Sequence, residues 1–196
     1  MDFSKIEIKP KNYDESFLFK GKELNHKISD FWSWSQSDLI GNTTRGILAE
    51  FIVKSALEIK SEVRNEWYEY DLITENGIKI EVKSSAYLQT WAQKKFSKII
   101  FNMAPTKTLN KNNIYSGESI RRADIYIFCL LKHKIQKTLN PMDLNQWIFF
   151  LIKTDILDKV FGNQKMLSLS VLEKQCSVSC NYFELKSKFL NYTNQV

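Results

Sequence analysis

Two short, unbroken apolar runs, ADIYIFCLL (123–131) and QWIFFLIK (146–153), constrain this chain most. Each is too short to span a bilayer, and apolar runs of this length between polar residues read as strands covered on both faces. Strands of that kind need a layer above and a layer below. The expected fold class is therefore α/β, a central mixed β-sheet flanked by helices. With 196 residues, 43% of them hydrophobic, and only six Gly and three Pro, the composition excludes a disordered chain and suits one globular domain with one site. The start, MDFSKIEIKPKNYDES, has no apolar stretch behind a basic head, so a cytoplasmic protein with no membrane partner is expected.

Residues 1–28 read as a polar N-terminal arm, with IEIKP as a short strand ended by its proline. SDFWSWSQSDLI reads as a short helix with Phe31, Trp34 and Leu39 near one face. RGILAEFIVKSALEI spaces its apolar residues at i, i+3 and i+4, an amphipathic helix for Thr43 or Thr44 to cap. The period then changes to two. WYEYDLI, a turn at Glu75, Asn76 and Gly77, and IKIEVKSS form a β-hairpin, and SKIIFNMA is a third strand before the two apolar runs. A loop is expected from Thr106 to Glu118, then a helical turn around SGESIRRA. TDILDKVFG, SLSVLEK and YFELKSKFL are helical candidates, the first with a Gly stop. The core is placed at 42–155, with 156–196 as C-terminal helical additions.

The hairpin carries the chemistry. Asp71 closes its first strand, while Glu81 and Lys83 share one face of the second, with Ile80 and Val82 turned to the core. Taken alone, IKIEVK is also how any half-exposed strand reads. Adjacent carboxylates repel, and a hard cation such as Mg2+ or Mn2+ takes oxygen ligands of this kind. A neighbouring ammonium suits the activation of water and the charge of a phosphate.

With Glu50 in RGILAEFIVKSAL, Asp71 in EYDLI and Glu81-Val82-Lys83 in IKIEVKSS, residues 42–131 resemble the PD-(D/E)XK superfamily of restriction-endonuclease-like nucleases. Tyr70 stands where that motif has its proline. Together with RRADIYIFCLLKH, these segments are similar to an uncharacterised bacterial branch. The resemblance implies a restriction-endonuclease-like core and Mg2+- or Mn2+-dependent hydrolysis of DNA phosphodiesters. Asp71, Glu81 and Glu50, with the carbonyl of Val82, would hold metal, and Lys83 would assist the attacking water. Restriction, repair and phage defence stay open as settings, and a homodimer stays open as a way to cut both strands.

A net charge of +6 suits a polyanionic partner. Arg45, Gln89, Arg121 and Arg122 are candidates for substrate contact, Arg45 also as a partner for Glu50; Tyr87, Trp91 and the lysines at 94, 95 and 98 are weaker ones. His133, without a visible partner, reads as structural. Cys129 reads as a small buried hydrophobe, and Cys176 and Cys180, with only His26 and His133 elsewhere, are too few for a zinc site. Two other function classes stay open: a non-catalytic nucleic-acid- or protein-binding module on a nuclease-like scaffold, and an RNA-directed nuclease.

Overall fold

The structure, a computed structural model, describes residues 6–61, 63–107, 117, 119–175 and 178–194. Its centre is a mixed five-stranded sheet flanked by helices, as expected. An N-terminal hairpin pairs β1 (Ser16–Phe19) with β2 (Lys22–Lys27), followed by helices α1 (Ile28–Gln36) and α2 (Asn42–Ala56). The site-bearing hairpin is β3 (Leu72–Ile73) and β4 (Lys79–Ala86). After β5 (Ile100–Asn102) come β6 (Ile125–Leu131) and β7 (Trp147–Lys153), then α3 (Thr154–Phe161), β8 (Met166–Ser168), α4 (Leu169–Gln175), β9 (Val178–Cys180) and α5 (Tyr182–Thr193).

The central sheet runs β3-β4-β6-β7-β9. β4 and β6 are parallel and the other pairs antiparallel. All seven residues of β6 are buried, as its unbroken apolar sequence demands. Alternation along β6 divides the core in two. Ile125, Ile127, Cys129 and Leu131 join Ala49, Ile52 and Val53 of α2 and Leu185 and Phe189 of α5 on one face. Tyr126, Phe128 and Leu130 meet Phe101, Leu157, Leu167 and Leu172 on the other. Among the described residues no helix is long and apolar enough to cross a membrane.

Several expectations are corrected. Residues 6–10 form no strand, and the hairpin of 16–27 supplies the regular structure of that arm. Helix α1 forms but buries none of its residues; Trp34 is 85% exposed and Leu39 lies beyond its end. Gly41, not a threonine, is the N-cap of α2; Asp38 accepts from the backbone N–H of Ile40 and Gly41 there. The WYEYDLI strand shrinks to Leu72–Ile73. The SKIIFNMA strand does form, yet β5 pairs with β8 in a separate sheet, with only its middle residue, Phe101, buried. Most of the loop expected at 106–118 lies outside the described residues, as do Ser116 and Glu118 of the expected helical turn. There Ile120 instead forms a bridge with Thr106. Cys176 also lies outside the described residues; Cys180 is buried in β9.

Candidate active site

The β3–β4 hairpin fixes the first two carboxylates. Leu72 pairs with Ile80, and one step back Asp71 donates its backbone N–H to the Ile80 carbonyl at 3.0 Å. Because β3 is two residues long, the next strand position of β4 has no backbone partner on that edge. The Asp71 side chain takes the place, its Oδ2 accepting from the Val82 N–H at 2.7 Å. Ile80 and Val82 are buried under α2, which turns Glu81 and Lys83 to the opposite face, level with Tyr126 and Phe128 of β6. Lys83 Nζ donates to Glu81 Oε1 at 2.5 Å.

Glu50 sits on the flank of α2, beside the apolar stripe of Ala49, Ile52 and Val53. It is nearly buried, and Arg64 grips both its oxygens, Nε to Oε2 at 2.5 Å and NH2 to Oε1 at 2.9 Å. Burial raises the pKa of Glu50; the Arg64 hydrogen bond opposes this and the charge of Asp71 adds to it, so the carboxyl stays above its ordinary pKa. Glu81 is raised too, by burial first, then by Asp71, against the pull of Lys83. For Lys83 burial works downward, but the charges of Glu81, Asp71 and Glu50 outweigh it and hold its pKa up. The four expected residues therefore share one electrostatic neighbourhood.

Each carboxylate nevertheless has a partner of its own: Arg64 for Glu50, Lys83 for Glu81, the Val82 amide for Asp71. Among the described residues no three His, Cys, Asp or Glu side chains converge, as they stand, on a single metal position. The donor set still fits a hard divalent cation by its chemistry. It is all carboxylate oxygen, and the pKa values of Glu50 and Glu81 are raised by burial first and then by the charge of Asp71, the part that a cation would relieve.

The candidate substrate contacts fare differently. Arg45 is buried and does not pair with Glu50. It donates to the Ile40 carbonyl and Asn42 Oδ1, both at 2.7 Å, and to Gln89 Oε1 at 3.3 Å. Gln89 in turn donates to the Ala86 carbonyl at 3.0 Å, so the pair ties the loop after β4 to the start of α2. Arg121 is buried among four oxygens, the carbonyls of Met103, Gly162 and Gln164 and the carboxylate of Asp158, a structural clamp rather than an exposed phosphate contact. Arg122 lies 3.7 Å from Glu69. Tyr87 packs beneath the Lys134 ammonium, 4.3 Å from its ring centre, while Trp91 and the lysines at 94, 95 and 98 are exposed. His133 shares a 2.8 Å hydrogen bond with Thr138 Oγ1.

Arg64 is the unanticipated member. Its signal was its rarity and its place: one of four arginines in the chain, in the segment between the Glu50 helix and Asp71. Tyr126 is a second, brought level with Glu81 by the β4–β6 register.

No curated protein gives a significant match to this sequence. Residues 2–168 match the family model described as bacteriophage T4 endonuclease IV, a span that takes in α2, the β3–β4 hairpin and every residue of the site. The chain therefore belongs to the bacteriophage T4 endonuclease IV family, a family of nucleases.

Proposed function

We propose that the chain is a divalent-metal-dependent DNA nuclease of PD-(D/E)XK type, with Asp71, Glu81, Glu50 and Lys83 as its catalytic group. The observation that carries this reading is the hairpin geometry. Asp71 is anchored on the amide of Val82, beside Glu81 and Lys83, and Glu50 is close enough to add its charge to theirs. The family name supports hydrolysis of a phosphodiester, and the net charge of +6 suits the polyanion.

Asp71, Glu81 and Glu50 would hold Mg2+ or Mn2+. The Val82 carbonyl would join them, since within a strand it leaves by the same edge as the N–H that Asp71 receives. Bound there, the cation would supply Lewis acidity to the scissile phosphate and lower the pKa of a coordinated water. Lys83, kept protonated by its carboxylate neighbours, would orient the attacking water and offset charge building on the phosphate oxygens.

The test is calorimetric binding of Mn2+ or Mg2+ to the protein and to Glu81→Ala, with and without a short duplex DNA. Binding that disappears with Glu81 supports the site; absent binding in every condition favours a non-catalytic module. Lys83→Ala is expected to abolish cleavage with an unchanged circular dichroism spectrum, and full cleavage by that variant would refute its role. Single-stranded DNA, duplex DNA and RNA oligonucleotides in the same assay separate the DNA and RNA readings.

A further inference from the structure

A cavity of about 250 Å³ opens beside the candidate active site, between α2 and the segment leading to β3. Glu50 and Asp71 belong to its lining, so it is continuous with the proposed catalytic group. Its other walls include Phe51, Lys54, Asn65, Tyr68 and Tyr70. The volume lies below the roughly 300 Å³ at which sites for drug-sized ligands begin, and suits one small planar group.

The walls say which kind of group. The rings of Tyr68 and Tyr70 stand 5.7 Å apart, tilted by 34°; Tyr70 packs against the core, and Tyr68 is the outer ring of the pair. Tyr68 is 53% and Phe51 60% exposed. Asn65 accepts the Trp67 N–H with its Oδ1, which leaves the carboxamide NH2 as a donor. The carboxylate of Asp71 in the lining disfavours a phosphate inside the cavity, while Lys54, also in the lining, suits a flanking phosphate. A neutral, flat, hydrogen-bond-accepting group with phosphates on either side is a nucleobase within a strand.

We propose that this cavity is a nucleobase subsite, in which Tyr68 stacks on a base next to the scissile phosphate and Asn65 donates to its edge. The inference rests on the nuclease reading above and adds a positioning role for residues that reading does not use. Stacking on an aromatic face accepts any base, so the cavity positions the strand and Asn65 supplies what selectivity there is.

The experiment is a ligand-observed NMR titration of the full chain carrying Lys83→Ala with each deoxynucleoside 5′-monophosphate and with deoxyribose 5-phosphate, metal-free. Nucleotides are expected to bind about ten-fold more tightly than the sugar phosphate, with contact signal on base protons. Adding Tyr68→Ala should weaken nucleotide binding by about ten-fold and Tyr68→Phe should leave it within about two-fold, because the ring rather than the hydroxyl makes the stack. Because Tyr68 is half exposed, the fold should survive, and a thermal melt checks that. Equal binding of the sugar phosphate, no nucleotide binding, or binding unchanged by Tyr68→Ala would each overturn the subsite. Those failures leave the nuclease reading standing if Lys83→Ala has lost cleavage; retained cleavage by Lys83→Ala brings down that reading itself.

Discussion

Glu50 would be a poor residue to bury without Arg64. Two hydrogen bonds from one guanidinium neutralise a carboxylate that its surroundings otherwise drive toward protonation. Arg64→Ala should therefore lower metal-free stability by about 1–3 kcal/mol, the cost of leaving a nearly buried charged group unsatisfied. Urea melts read this loss, and on the proposed function Mn2+ should recover part of it; a variant as stable as the parent would show that Arg64 is a bystander. At this scale the sequence discloses the acidic and basic residues of one strand well, because period two leaves each charge only two directions and the apolar partners claim one. It discloses pairings across space poorly. Arg64 and Glu50 are 14 positions apart, with nothing in the intervening pattern to link them. Arg121 misleads in the opposite sense: two adjacent arginines before a strand look like phosphate contacts, yet Arg121 clamps the carbonyls of segments up to 43 residues away.

Among the elements, the hairpin depends on its turn more than on its first strand. Gly77 adopts φ +82, its N–H donates to the Thr74 carbonyl at 2.9 Å, and Thr74 Oγ1 receives the Ile78 N–H at 3.0 Å. An added Cβ would meet nothing within 4 Å, so Gly77→Ala tests backbone conformation alone. The expected loss is about 1–2 kcal/mol in urea melts, the cost of an L-residue in left-handed geometry. The Asp71 carboxylate remains bonded to Val82, so on the proposed function metal affinity should stay at the parent value; a fall in affinity would mean that the turn, not that bond, sets the register. The turn was legible because Glu-Asn-Gly is strong turn chemistry, and β6 and β7 because continuous apolar sequence has few other places to go. Less legible were β1, β2 and β9. The first two are largely exposed, and β9 is three residues long, so none carries the alternation that marks a half-buried strand. The separation of β5 from the central sheet depends on its pairing with β8, a contact between segments too far apart for local pattern to encode.

For the whole molecule, the sheet's two covered faces place ionisable groups where charge is poorly tolerated. Tyr126, 4% exposed and level with Glu81, has its phenol pushed well above the ordinary 10.0 by burial and by that carboxylate. Cys129, fully buried on the other face, is likewise raised above 9.0, first by burial. In the unfolded chain both groups ionise near their ordinary values, while in the folded chain both keep their protons. Above those values the folded state binds more protons than the unfolded, and stability falls as pH rises. Each such group contributes a slope of up to about 1.4 kcal/mol per pH unit between its unfolded and folded pKa. Tyr126→Phe keeps the ring packed against Phe128, 5.8 Å away, and removes one ionisation. The variant's stability should follow the parent's up to about pH 9 and then fall less steeply, the gap widening by up to about 1.4 kcal/mol per unit toward pH 11. Urea melts across that range decide it. Parallel curves would mean that the phenol ionises in the folded state as readily as in the unfolded one, and that the face of the sheet carrying Glu81 admits water and charge more freely than its packing implies.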